Sequence, residues 1–113
     1  MSADDTSPGL VITRRDSTDR TTVLELAGYI DLSNGRLLTD AITKTIADVR
    51  DISLDLTGLT FVDSTGLREF VTGYHQAAAA GAGYRIVNPV GQVKQVLEMT
   101  GMLSFLTDGR PPN

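Results

Sequence analysis

The sequence predicts an α/β protein: a mixed β-sheet of about five strands with three helices, opening on a β-hairpin. Two observations carry this expectation. Short β-prone runs alternate with stretches of helical period in the order β-β-α-β-α-β-α-β, and glycine- or proline-bearing breaks separate them. Strands reached through a helical crossover should be parallel, whereas the two opening strands, joined by a polar loop, should be antiparallel.

Residues 1–9 are small and polar and read as a flexible tail, because they bury too little apolar surface to offset their ordering entropy. Order is expected from Leu10. Leu10-Val11-Ile12 and Val23-Leu24-Glu25-Leu26-Ala27 read as two strands joined across residues 15–20, with Gly28 ending the second. Ser33 or Asn34 is the candidate cap of a helix whose apolar positions, Leu38, Ile42, Thr45/Ile46 and Val49, recur at spacings of three and four. Residues 52–57 alternate with period two and form the third strand, which Gly58 and Thr60 break before Phe61-Val62.

A second helix is expected from about Ser64 or Thr65, on the stripe Leu67, Phe70, Val71, Tyr74 and Ala78, with Gly81 and Gly83 as its stop. Residues 84–87 read as a fourth strand and Pro89 as a break. Val93, Val96 and Leu97 mark one face of a third helix closed by Gly101. A short fifth strand is expected at 104–106, so the folded domain is 10–107, and 108–113 read as a loose end.

Composition narrows the function. A chain of 113 residues, 41% hydrophobic and 21% charged, is sized for one core and lies far from the disordered regime. The absence of Cys excludes disulfides, thiolate catalysis, zinc–thiolate centres and iron–sulfur clusters, and fits a reducing compartment. Apolar runs are only a few residues long, so neither a membrane span nor a secretory signal is expected, and the reading is cytoplasmic. A formal charge of −4, with Lys44 and Lys94 the only lysines, argues against nucleic acid and for a neutral or basic protein partner. Nothing resembles a glycine-rich phosphate cradle, so no cofactor is expected.

The most informative segment is Asp63-Ser64-Thr65-Gly66-Leu67, between the third strand and the second helix. Ser and Thr at a helix start are first of all N-caps. Gly66 costs about 1 kcal/mol relative to Ala in a first turn, which implies a close approach by another strand or by a partner. An enzyme would have to use Asp55, Asp63 and His75 as acid, base and orienter, yet Asp55 and His75 sit in structural patterns. Ser64 and His75, eleven residues apart on one helix, are separated by about 16 Å and cannot form a nucleophile–base pair. A receiver domain would need an acidic pair after the first strand and a lysine near Phe105; Arg14-Arg15 and no lysine stand there.

Following Leu54-Asp55-Leu56 and Phe61-Val62, this pentapeptide resembles the phosphorylation motif of the STAS domain of bacterial anti-sigma factor antagonists. Gly28-Tyr29-Ile30-Asp31 is similar to the family's turn after its second strand, and Val96-Leu97-Glu98-Met99-Thr100-Gly101-Met102 to the signature closing its third helix. The resemblance spans about residues 10 to 106. It implies a non-catalytic partner-switching module that regulates transcription: unphosphorylated, it binds an anti-sigma factor that is also a serine kinase; phosphorylated on Ser64, it lets go; a phosphatase resets it. It implies further that Asp31 and Asp63 shape the surroundings of Ser64, that Ser33, Thr65, Gly66 and Leu67 lie near the contact surface, and that the free protein is a monomer. Many relatives carry a further C-terminal helix, whereas only residues 107–113 follow the last expected strand here. The alternative inside the same fold is a scaffold or ligand-binding module of a larger signalling assembly, with Ser64 acting only as a helix cap.

Overall fold

The computed structural model of the protein describes residues 3–102. Its elements are β1 (Ala3–Ser7), β2 (Leu10–Asp16), β3 (Thr21–Ile30), α1 (Gly35–Ala47), β4 (Asp51–Val62), α2 (Ser64–Ala79), β5 (Tyr84–Val87) and α3 (Gly91–Met99). The strands lie in sequential order, β1 to β3 antiparallel and β3 to β5 parallel. This is the mixed five-stranded α/β fold with a hairpin start that the sequence predicts. Both parallel pairs are joined by crossovers that advance the same way along the sheet, so α1 and α2 lie side by side on one face. Ile12, Leu24, Leu26, Ile30, Leu54 and Val62 from the sheet share one core with Leu38, Ile42, Phe70, Tyr74 and Ala77 from those helices.

Membership of the sheet differs from expectation at its start. Most of the segment expected as a tail is β1, whose partner register runs from Ala3↔Arg14 to Ser7↔Leu10. Its contribution is backbone pairing along the edge of β2, which a search for apolar periodicity does not register. The strand expected at 104–106 and the end at 108–113 lie outside the described residues. Gly28 does not end β3: at φ +109°, with the Gly9 carbonyl where a Cβ would sit, it lets the strand continue to Ile30. Nor does β4 break at Gly58. Between Glu25 and Tyr29 on β3, β4 carries two extra residues, and the Thr60 hydroxyl donates to the Gly28 carbonyl across one of these bulges (2.9 Å).

Two stripe positions also move. Val49 falls beyond the end of α1 and is 73% exposed, and Ala77 rather than Ala78 faces the core. At the end of α2 the Gly81 amide donates to the Ala78 carbonyl (3.2 Å) and the Ala82 amide to the Ala77 carbonyl (2.9 Å), which closes the helix as Gly81 was expected to do.

A polar cluster ties the hairpin to the end of α1. Arg14 donates to Asp16 (2.9 Å) and Asp48 (2.8 Å), and the Thr22 hydroxyl donates to Asp16 (2.8 Å) while accepting from Arg50 (2.7 Å). The Arg14 bond, then the Thr22 hydroxyl, hold the Asp16 carboxyl below the usual carboxylate range. A depressed carboxyl stabilises the fold above its unfolded pKa, and that contribution is lost as pH falls through the folded value. Asp16→Asn should therefore lose less stability than the wild type between about pH 5 and about pH 2, measured by urea unfolding; parallel pH profiles would refute the assignment. Val49 holds φ +59°, a left-handed conformation costly for a β-branched side chain. Val49→Gly is expected to raise stability by about 1 kcal/mol, and an unchanged or lower urea midpoint would contradict that origin.

Candidate functional site

Parallel strands β3, β4 and β5 end at one pole, the place where loops and helix starts of such sheets gather function. Because Ile30 pairs with Val62, the residues that follow them, Asp31 and Asp63, come out side by side, and the Asp63 amide donates to the Ile30 carbonyl (3.3 Å). Asp63 then starts α2. Its Oδ1 accepts from the amides of Thr65 (2.9 Å) and Gly66 (3.1 Å), so the aspartate, and not a serine hydroxyl, caps the helix. Ser64, the first helical residue, is exposed, and its hydroxyl has no partner among the described residues.

The rest of the pentapeptide is held by packing. A Cβ on Gly66 would lie 2.2 Å from Val62 Cγ2 and 3.1 Å from Ile30 Cγ2, so the close approach implied by this glycine is that of the two strand ends. Gly66 is buried and offers a partner no side-chain surface. Thr65 is half-buried, its methyl against the first residue of α1: a Cβ on Gly35 would lie 3.3 Å from Thr65 Cγ2. Leu67 packs partly into the core.

Beside this helix start, Asp31 Oδ1 accepts from the hydroxyl (2.6 Å) and amide (2.8 Å) of Ser33. The hydroxyl bond first, and the amide second, lower the Asp31 pKa, so the carboxylate is charged at neutral pH. Asn34 stands at the N-terminus of α1 as expected, but its side chain does not cap the helix. Only 3% exposed, it donates to the carbonyls of Tyr29 (3.0 Å) and Pro8 (3.3 Å) and accepts from the Asp31 amide (3.0 Å). Gln92 plays a comparable part that the sequence does not reveal, since a glutamine in a first turn reads as ordinary surface. Its side chain accepts from the Val62 amide and donates to the Val62 carbonyl, both at 3.1 Å, where β5, paired to β4 only as far as Asp55, no longer reaches.

Between α1 and α2 runs a groove of about 380 Å³ lined by Leu32, Arg36, Thr39, Thr65, Arg68 and Glu69 among others. The Thr39 hydroxyl donates to the Glu69 carboxylate across it. Leu32 is 84% exposed, and Phe61 and Val90 are also exposed at this pole. The enzyme constellation does not assemble. Asp55 is engaged by Thr57 and Asn88, His75 sits exposed with its ring edge-on to Tyr74, and among the described residues no three of His, Asp and Glu could hold a metal ion. Among those residues, too, no helix is long and apolar enough to cross a membrane.

The motif that carries the STAS resemblance thus stands at the ends of two parallel strands and opens α2, and a family model for the STAS domain matches residues 13–110. The chain belongs to the STAS domain family. Solved structures agree in fold. An anti-sigma factor antagonist from Mycobacterium paratuberculosis superposes with a TM-score of 0.74 at 21% identity, covering 87% of this chain and 83% of that one. The anti-sigma factor antagonist SpoIIAA in its unphosphorylated form gives 0.63 at 20% identity, over 78% and 82%. The Bacillus cell fate determinant SpoIIAA in its phosphorylated form gives 0.62 at 21% identity, over 80% and 84%. A search of the curated proteins gives no match. Within this STAS domain the packing assigns different costs along the motif. Gly66→Ala should lower stability by about 1–3 kcal/mol through overpacking, Asp63→Ala by about 1 kcal/mol through loss of the cap, and Ser64→Ala by less than about 0.5 kcal/mol. Chemical denaturation of the three variants checks the order, which a costly Ser64→Ala would reverse.

Proposed function

We propose that this STAS domain is an anti-sigma factor antagonist of the cytoplasm: without catalysis of its own, it binds an anti-sigma factor serine kinase while Ser64 is unmodified and releases it once Ser64 carries phosphate. The observation that supports this best is the division of labour at the start of α2, where Asp63 caps the helix and leaves the Ser64 hydroxyl exposed and uncommitted. A serine serving only as a cap would have its hydroxyl on those amides. Thr65 is the poorer acceptor, since its methyl is packed against α1. The similar structures, anti-sigma factor antagonists with SpoIIAA in both phosphorylation states, favour the same reading.

Phosphoryl transfer belongs to the partner. The γ-phosphoryl group of ATP held by the kinase passes to Ser64 Oγ, ADP leaves, and the hydroxyl proton goes to a base on the kinase. The modified residue then carries about −1.5 to −2 charges at neutral pH, which the start of α2 can accommodate within the monomer. Against a partner the same charge adds to Asp31 and Asp63 on a surface that must be desolvated. A loss on the order of 4 kcal/mol, about a thousandfold in affinity, switches the complex without any refolding. Asp31, Ser33 and Leu67 belong to the rim of this surface, Gly66 shapes it from beneath, and a phosphatase resets the hydroxyl.

Calorimetry of wild type, Ser64→Ala and Ser64→Glu against candidate anti-sigma kinases from the same genome, with ADP and with ATP, tests the proposal. Wild type and Ser64→Ala should bind and Ser64→Glu should not, and the phosphate formed with ATP should map to Ser64. Equal binding by all three, or phosphate on Thr65, would remove Ser64 as the switch and favour the scaffold reading.

A further inference from the structure

We propose that phosphate on Ser64 is held within the monomer by Arg68, with Arg36 closing from the opposite wall of the groove, so that modification both adds charge and withdraws two cations from the contact surface. This rests on the reading of Ser64 as the phosphoacceptor. Arg14, Arg15 and Arg50 are each bonded to acidic side chains or backbone oxygens. Arg36 and Arg68 make no side-chain hydrogen bond or ion pair among the described residues, although Asp40 and Glu69 line the same groove. Glu69 is instead engaged by Thr39.

Placement favours a phosphate at Ser64. Arg68 is four residues after Ser64 on α2, the spacing of adjacent groups on one helix face, and helical side chains as a class lean toward the N-terminus, the direction in which Ser64 lies. Arg36 lies in the first turn of α1, next to the Gly35 against which Thr65 packs, so the two helix starts converge there. Neither helix has an acidic residue in its first turn, so Arg36 stands at a positive helix end, with Asp40 and Glu69 as the acidic side chains of its groove. A dianionic phosphate matches the fork of a guanidinium and completes this arrangement. The charges around it are Asp31 and Asp63 beside the acceptor and, in the groove that Thr65 lines next to it, Arg36 and Asp40 from α1 and Arg68 and Glu69 from α2; Gln92, reaching in from α3, is neutral.

The test installs phosphoserine at position 64 during translation, independent of any kinase, and follows the second ionisation of the phosphate by phosphorus NMR. The parent protein should titrate about half a pH unit below its Arg68→Gln variant. Arg36→Gln should show a smaller difference in the same direction. Arg68→Lys should keep most of the shift, and Arg85→Gln, on β5, should keep all of it. Identical titration of the parent and Arg68→Gln would overturn the proposal. The same phosphorylated samples offered to the kinase separate the two ideas: unweakened binding with the Arg68 shift intact would remove the antagonist reading and leave the phosphate-holding role standing.

Discussion

The parallel pairing of β3 with β4 at Ile30 and Val62 is the constraint on which the functional pole depends. It sets Asp31 beside Asp63, aims the Asp63 amide at the Ile30 carbonyl, and brings two β-branched side chains under the first turn of α2. Only a residue without a Cβ fits over them, which is why a helix that starts this close to the sheet carries Gly66. Once the helix start is pressed onto the strand ends, the remaining residues of the motif have little freedom. Asp63 turns back to cap, Thr65 meets α1, Leu67 packs partly into the core, and Ser64 is left exposed.

Much of this was legible in the sequence because it rests on period and spacing. The helices, the hairpin and the parallel strands follow from apolar positions at two, three and four, and the three motifs read along the chain led to the STAS family. What escaped is what period does not encode. β1 is joined to β2 by backbone pairing with no apolar stripe of its own. The bulges that let β4 run on past Gly58 arise from mismatch with β3, a property of the pair and not of either strand. Asn34 and Gln92 look like a helix cap and a surface residue, and their bonds to Tyr29, Pro8 and Val62 appear only when distant segments are placed together.

The same contrast divides the motif itself. A serine and an aspartate at a helix start are both cap candidates, and sequence alone does not say which residue serves. Geometry separates them, because a single carboxylate oxygen reaches two amides and leaves the neighbouring hydroxyl idle. Capping thus falls to Asp63 alone, so the charge proposed for the adjacent Ser64 would not undo the helix it begins.

The Gln92 side chain at the end of β4 bears on how a partner is read. By occupying both the amide and the carbonyl of Val62, it works as a one-residue surrogate strand and blocks β-augmentation at that edge of the pole. Main-chain zippering is largely indifferent to the chemistry of neighbouring side chains, and a recogniser that used it could ignore one modified hydroxyl. With that route closed at Val62, the recognition proposed beside Ser64 would fall to side chains and shape, the kind of contact that a single covalent mark can veto.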